Sequence, residues 1–184
     1  MATKTAIATL VLRFLALVFL AGSVVVFVTN KFTSDGDKTT FKDVQAYRYV
    51  VAAALLGFIY SVFQIPFALY HVSKEKHLAR WLPAFNQYAD QIMAYFLATA
   101  VGAGFAITME YKKRLPDFII LLILAGAEGV DDEERLIKKF LNRGLVATGI
   151  LLLGFVCVAL QAVISAITRY SATTSSSNRR GFFG

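Results

Sequence analysis

Two ionisable side chains interrupt otherwise apolar runs: Arg13, inside Ala6 to Val28, and Asp90, inside Tyr88 to Met109. A charge in hydrocarbon is disfavoured by at least ~2.5–3.5 kcal/mol, so such residues turn into a bundle and find partners there. One arginine and one carboxylate neutralise each other, and further acceptors are needed for the five donors of the guanidinium. Gln64 and Gln161 supply amides near the ends of two more apolar runs, with Ser61, Gln91 and Ser165 close by. At 1.5 Å per helical residue, Arg13 lies roughly 10 Å deep and Asp90 about 3–8 Å deep from the same face. The four residues therefore share one level. The chemistry open to this set is an orientation lock that fixes helix pairing, or a relay for protons or ions.

The elements that place these residues follow from composition and run length. Of 184 residues, 57% are hydrophobic and 17% charged, above the apolar share of an ordinary soluble domain. Crossing the roughly 30 Å hydrocarbon layer takes about 20 apolar residues. Four stretches qualify: Ala6 to Val28, Tyr49 to Tyr70, Tyr88 to Met109 and Gly144 to Thr168. Tyrosines at or near their ends, including Tyr47, Tyr88, Tyr111 and Tyr170, suit the headgroup level. The fold class predicted is thus an all-α membrane protein, one four-helix domain over residues 1–170 with a polar, flexible tail over 171–184. Pro66 predicts a kink in the second span. The first run is too long for a secretory signal and carries Arg13, so it is read as a retained helix.

Small residues spaced along the spans mark packing faces: Gly57 and Ser61 in the second, Ala94, Ala98 and Gly102 in the third, Gly154 in the fourth. The ten apolar residues Phe118 to Ala127 make a helix of only about 15 Å, too short to cross. They are read as a separate short helix in the second outer loop, at the membrane surface, re-entrant, or a contact between copies through Phe118, Ile119, Ile120, Leu121 and Leu122. Asp131, Asp132 and Glu133 then mark a helix start.

An even number of spans puts both termini on one side. That side holds seven Lys/Arg and one acid, the other eleven Lys/Arg and ten acids. Counting bases leaves orientation open, while net charge favours cytosolic termini. The overall charge of +7 is read as basic segments beside anionic lipid, not as a nucleic-acid surface. One cysteine, Cys157, excludes an intramolecular disulfide. His71 and His77 lack a third metal ligand nearby, and the acidic run lacks the spacing of a calcium loop. No catalytic motif, cofactor site or metal site is expected.

Particular segments resemble a known family. Leu12-Arg13-Phe14, Phe41-Lys42-Asp43-Val44, Tyr47 to Ala53, Tyr60-Ser61-Val62-Phe63-Gln64 and Tyr88 to Tyr95 are similar in order and spacing to the plant CASP-like (Casparian strip membrane domain protein-like) family, related to the four-span MARVEL group. The resemblance implies that Arg13 and Asp90 occupy signature positions, that both termini are cytosolic and that the protein resides in the plasma membrane. It further implies a non-enzymatic scaffold that self-associates, alone or with related members, into a platform that organises cell-wall-modifying proteins. Lys31 to Tyr47 lacks the phenylalanine-rich loop signature of strip-forming members, so the broader CASP-like role is the one implied. A small channel or transporter, or a lipid-organising oligomer, is the alternative, and membrane lipids are partners in every case.

Overall fold

The computed structural model describes residues 2–34, 37–74, 82–124 and 130–180. Four helices, α1 (Ala2–Thr29), α2 (Gln45–Lys74), α3 (Leu82–Leu124) and α4 (Val130–Arg180), each pack on their two neighbours in cyclic order. All four are long and apolar enough to cross a membrane. The α1 N-terminus and the α4 C-terminus share one side with the α2–α3 connection, here the terminus side; the opposite side is the loop side.

On the loop side α1 stops at Asn30, whose amide nitrogen donates to the Phe140 carbonyl of α4 at 2.9 Å. A two-stranded antiparallel hairpin follows, β1 (Lys31–Ser34) and β2 (Asp37–Thr40), with Lys31 opposite Thr40 and Ser34 opposite Asp37. Asp43 closes the turn into α2 by accepting from the Thr40 backbone N–H at 2.6 Å and the Thr40 hydroxyl at 3.1 Å. These bonds hold its carboxyl below the usual range. The hairpin had no counterpart in the sequence reading, because four-residue strands carry too little alternation to be seen.

Burial follows the helical period. Along the spanning part of α3, Asp90, Ala94, Leu97, Val101, Gly104 and Thr108 are buried at alternating steps of four and three residues, the stripe of a helix seam, with Ala100 buried beside it. Gly102, expected on this face with Ala94 and Ala98, is exposed, and a Cβ added there meets nothing within 4 Å. A stride of four advances about 400°, so each step drifts about 40° and three steps carry the stripe out to lipid. Ala94 is buried and Ala98 half-buried, as that drift requires. The outer surface is apolar, with Phe63 69%, Ile92 65% and Tyr95 65% exposed, the pattern of a bundle wrapped by acyl chains.

Two helices outrun the membrane. α3 has 43 residues and α4 has 51, roughly 65 Å and 76 Å at 1.5 Å per residue, against a hydrocarbon layer of about 30 Å. Phe118 to Leu124 is accordingly not a separate short helix but the end of α3, and 125–127 lie outside the described residues. The intervening Glu110 to Asp117 is charged and reads as a loop, yet Glu, Lys and Arg are good helix formers. Glu110 and Arg114 pair one turn apart at 2.5 Å, and Pro116 sits inside the continuous helix, as Pro66 does in α2. With residues 130–143 of α4, this extension forms an antiparallel arm on the loop side. Leu115, Ile119 and Val130 are its small core, with Leu122 and Ile137 packed against them. Ile119 and Leu122 therefore face inward, while Phe118, Ile120, Leu121, Ile123 and Leu124 remain 50–80% exposed.

At the other end the tail expected to begin at residue 171 is helical to Arg180. Extending an existing helix needs no new nucleus, so moderate formers such as Ser and Thr continue it. His77 lies outside the described residues.

Candidate functional site: a charged layer inside the bundle

The site is built on close helix contacts two turns away. Gly57 of α2 faces Leu97 and Leu20, at 3.2 and 3.3 Å from where its Cβ would lie, and Gly154 of α4 faces Leu20 at 3.3 Å. Leu20, Gly57, Leu97 and Gly154 thus form one layer, one residue from each helix. Seven residues are nearly two full turns, about 10.5 Å along the axis on almost the same face. Counting seven toward the terminus side leads from Leu20 to Arg13, from Gly57 to Gln64, from Leu97 to Asp90 and from Gly154 to Gln161. The packing that glycine permits above sets the register of the polar layer below.

Within that layer the Arg13 Nη2 lies 3.2 Å from Asp90 Oδ2 and 3.5 Å from Oδ1. Arg13 is 5% exposed and Asp90 fully buried. The Tyr60 hydroxyl donates to Asp90 Oδ1 at 2.6 Å, and Gln64 Nε2 donates to the Tyr60 oxygen at 2.9 Å and to Asn86 Oδ1 at 3.4 Å. Gln64 therefore reaches the carboxylate through Tyr60. Gln161 is 3% exposed at the same level, and its Nε2 has no partner among the described residues. Ser61 donates to its own helix at the Gly57 carbonyl, 2.9 Å away, and takes no part in the network.

Tyr60 and Asn86 were missed from the sequence as members of this layer. Tyr60 lies in the middle of the second span, where an aromatic ring passes for apolar filling, and the signal that identifies it is its place one turn before Gln64, on the same helix face. Tyr60→Phe keeps the ring and removes the donor to a buried carboxylate; the expected loss is about 1.5–3 kcal/mol of bundle stability, the range for hydrogen bonds to charged groups. Unfolding by SDS titration in mixed micelles measures it, and a change below ~0.5 kcal/mol, the range of an inert surface substitution, would show that the hydroxyl adds nothing to the layer.

Loop-side packing seals the opposite end. Phe27, Tyr47 and Phe140 stack at 5.3 and 5.9 Å between ring centroids. The Tyr47 hydroxyl hydrogen-bonds Thr108 Oγ1 at 2.7 Å, and the Ser23 hydroxyl donates to the Ala147 carbonyl at 2.9 Å. The bundle thus carries one buried ion pair at one level and a cluster of packed aromatic rings toward its other end. Among the described residues there is no group of three or more metal-ligating side chains.

Residues 2–116 match the Casparian strip membrane protein domain. The chain is 35% identical over 164 residues to CASP-like protein 4D1 of Ricinus communis, covering 86% of this chain and 88% of that protein. It is 36% identical over 163 residues to CASP-like protein 4D1 of Populus trichocarpa, covering 85% and 82%. It is 34% identical to CASP-like protein 4D2 of Arabidopsis thaliana, covering 85% and 86%. No solved structure matches. The match spans both Arg13 and Asp90 and more than half the chain, so this four-helix membrane protein belongs to the Casparian strip membrane protein domain family.

Proposed function

We propose that this protein is a non-enzymatic scaffold of the plasma membrane, with cytosolic termini, whose copies join side by side into a stable platform. The platform positions cell-wall-modifying proteins or forms a lateral diffusion barrier, alone or with related family members. One observation carries the reading: the arm presents Phe118, Ile120, Leu121, Ile123 and Leu124 to solvent beyond the hydrocarbon layer. Contiguous apolar surface of this kind in water marks a contact site. Copies confined to one bilayer hold their arms at one height, so the exposed face of one meets the same face of the next. The charged layer supports the same reading, since among the described residues the buried charged side chains of the bundle are Arg13 and Asp90, paired with each other at one level.

The test replaces Phe118, Ile120 and Leu121 with Gln and reads oligomer size by light scattering of the protein in mild detergent. The expected result is a shift from oligomer to monomer with helical content unchanged. An unchanged oligomer contradicts the arm as the joint. In liposomes the wild type is expected to pass no ion or small solute above the protein-free background; saturable flux abolished by Asp90→Asn would replace the scaffold with a transporter.

A further inference from the structure

Four buried side-chain polar atoms have no hydrogen-bond partner among the described residues, and three of them, Arg13 Nε, Gln64 Oε1 and Gln161 Nε2, belong to the charged layer. Each of these side chains is at most 5% exposed. Buried polar groups are almost always hydrogen-bonded, so several unpartnered atoms at one level mark a place where a hydrogen-bonding ligand belongs.

The ion pair divides the layer. It joins α1 to α3, which are not neighbours in the ring of helices, so α2 lies on one side of it and α4 on the other. The α2 side is linked to the carboxylate: Tyr60 donates to Asp90 Oδ1, and Gln64 donates to Tyr60 and Asn86. With Oδ1 held by α2, Oδ2 is the oxygen left for α4. It accepts from Arg13 Nη2 and from no other described residue, whereas an ionised carboxylate oxygen has two lone pairs to offer. The planar guanidinium carries its Nε–H on the same edge as Nη2, so with Nη2 on Asp90 the Nε–H is directed toward α3, beside the carboxylate. From α4, the Gln161 amide brings two N–H donors, neither of them used.

The surplus of donors selects the ligand. It has to accept from Arg13 Nε–H and Gln161 Nε2–H and still donate to Oδ2. A cation cannot accept. An anion would leave a net negative charge inside a layer that is neutral as it stands, which a low-dielectric interior disfavours. Water has two lone pairs and two hydrogens, and buried waters commonly make about three hydrogen bonds to groups of this kind.

We propose that the charged layer binds one ordered water molecule between α1, α3 and α4, held by Arg13 Nε, Gln161 Nε2 and Asp90 Oδ2. Through it Gln161 joins the ion pair, and the layer links all four helices. Gln64 Oε1, on the α2 side with Tyr60 and Asn86, is not among its partners. The inference does not depend on self-assembly of the protein, since a single bundle carries the whole site.

The sign of one substitution separates a bonded amide from an unsatisfied one. Were the Gln161 amide unpaired, Gln161→Leu would remove a buried donor that lacks a partner and so stabilise the bundle. An amide bonded to water contributes as an ordinary hydrogen bond does, and Gln161→Leu is then expected to raise the unfolding equilibrium constant about 2- to 12-fold in an SDS titration. The second measurement is made on the isotope-labelled wild-type chain in lipid bilayers, by solid-state NMR transfer of magnetisation from water protons to side-chain amides. Strong transfer is expected at the Gln161 amide and weak transfer at the backbone amide of Val158, which is 2% exposed and about one turn away. A Gln161→Leu protein as stable as the wild type, or more so, overturns the proposal. So does a Gln161 amide that receives no more water magnetisation than Val158, whatever the substitution does to stability. If Gln161→Leu fails to accumulate, the transfer in the wild type decides alone.

Discussion

Arg13→Ala is expected to prevent the bundle from accumulating in folded form. The change leaves Asp90, fully buried, with the Tyr60 hydroxyl as its remaining partner, and breaking a buried pair by removing one member costs about 3–5 kcal/mol. Asp90→Ala is expected to do the same from the other side, stranding a guanidinium that is 5% exposed. Removing both strands neither, so the double variant should be milder than the sum by a coupling energy of about 1–3 kcal/mol. Free energies from SDS unfolding of the four proteins give that coupling. Additive losses would show that the two groups do not sense each other despite their 3.2 Å separation.

Gly104→Ala is the second large effect, and it arises at a position with no charge. A Cβ at Gly104 would lie 2.7 Å from Thr148 Oγ1 and 2.8 Å from Thr148 Cγ2. Thr148 cannot swing away cheaply, because its hydroxyl donates to the Gly144 carbonyl at 2.9 Å and both branches face α3. α3 cannot retreat from α4 without straining the bond between Tyr47 of α2 and Thr108 one turn along. The expected loss is about 1–3 kcal/mol, the range for overpacking a tight core. Thr148→Ala removes both clashing atoms and leaves its Cβ 3.4 Å from the new methyl, so the paired variant should be no less stable than Thr148→Ala alone. Unfolding midpoints of the three variants decide it; a Gly104→Ala protein with wild-type stability would mean that α3 and α4 do not approach this closely.

Gly104 also marks the limit of what could be read from residue order. A stripe at every fourth residue from Asp90 chose Gly102, which is exposed, because small residues recur on lipid-facing and buried faces alike. Only the alternation of four and three separates them, and that alternation becomes evident once Leu97 and Val101 are known to be buried. The charged layer was more legible. Charge in a hydrophobic run leaves few alternatives, and counting residues from the run ends places Arg13, Gln64, Asp90 and Gln161 together without any knowledge of packing. Tyr60 was hidden because a tyrosine in the middle of a span counts as one more apolar ring. The arm was hidden for another reason: Glu110 to Asp117 looks like a break on a hydropathy scale, whereas helical continuity depends on propensity and i,i+4 pairing, which polarity does not report.

The register that glycine sets at Leu20, Gly57, Leu97 and Gly154 explains why the layer below it is closed. Polar groups of α1, α2 and α3 neutralise and hydrogen-bond each other at one level, with Gln161 of α4 buried at the same level, and the outward surfaces are left for lipid and for the arm. Electron cryomicroscopy of the full chain in lipid nanodiscs tests this division most directly. The predicted images show several bundles joined through the outer faces of their arms, each with Arg13 and Asp90 in contact in its interior. Isolated bundles with free arms, or a continuous file of water passing Arg13 and Asp90, would contradict it.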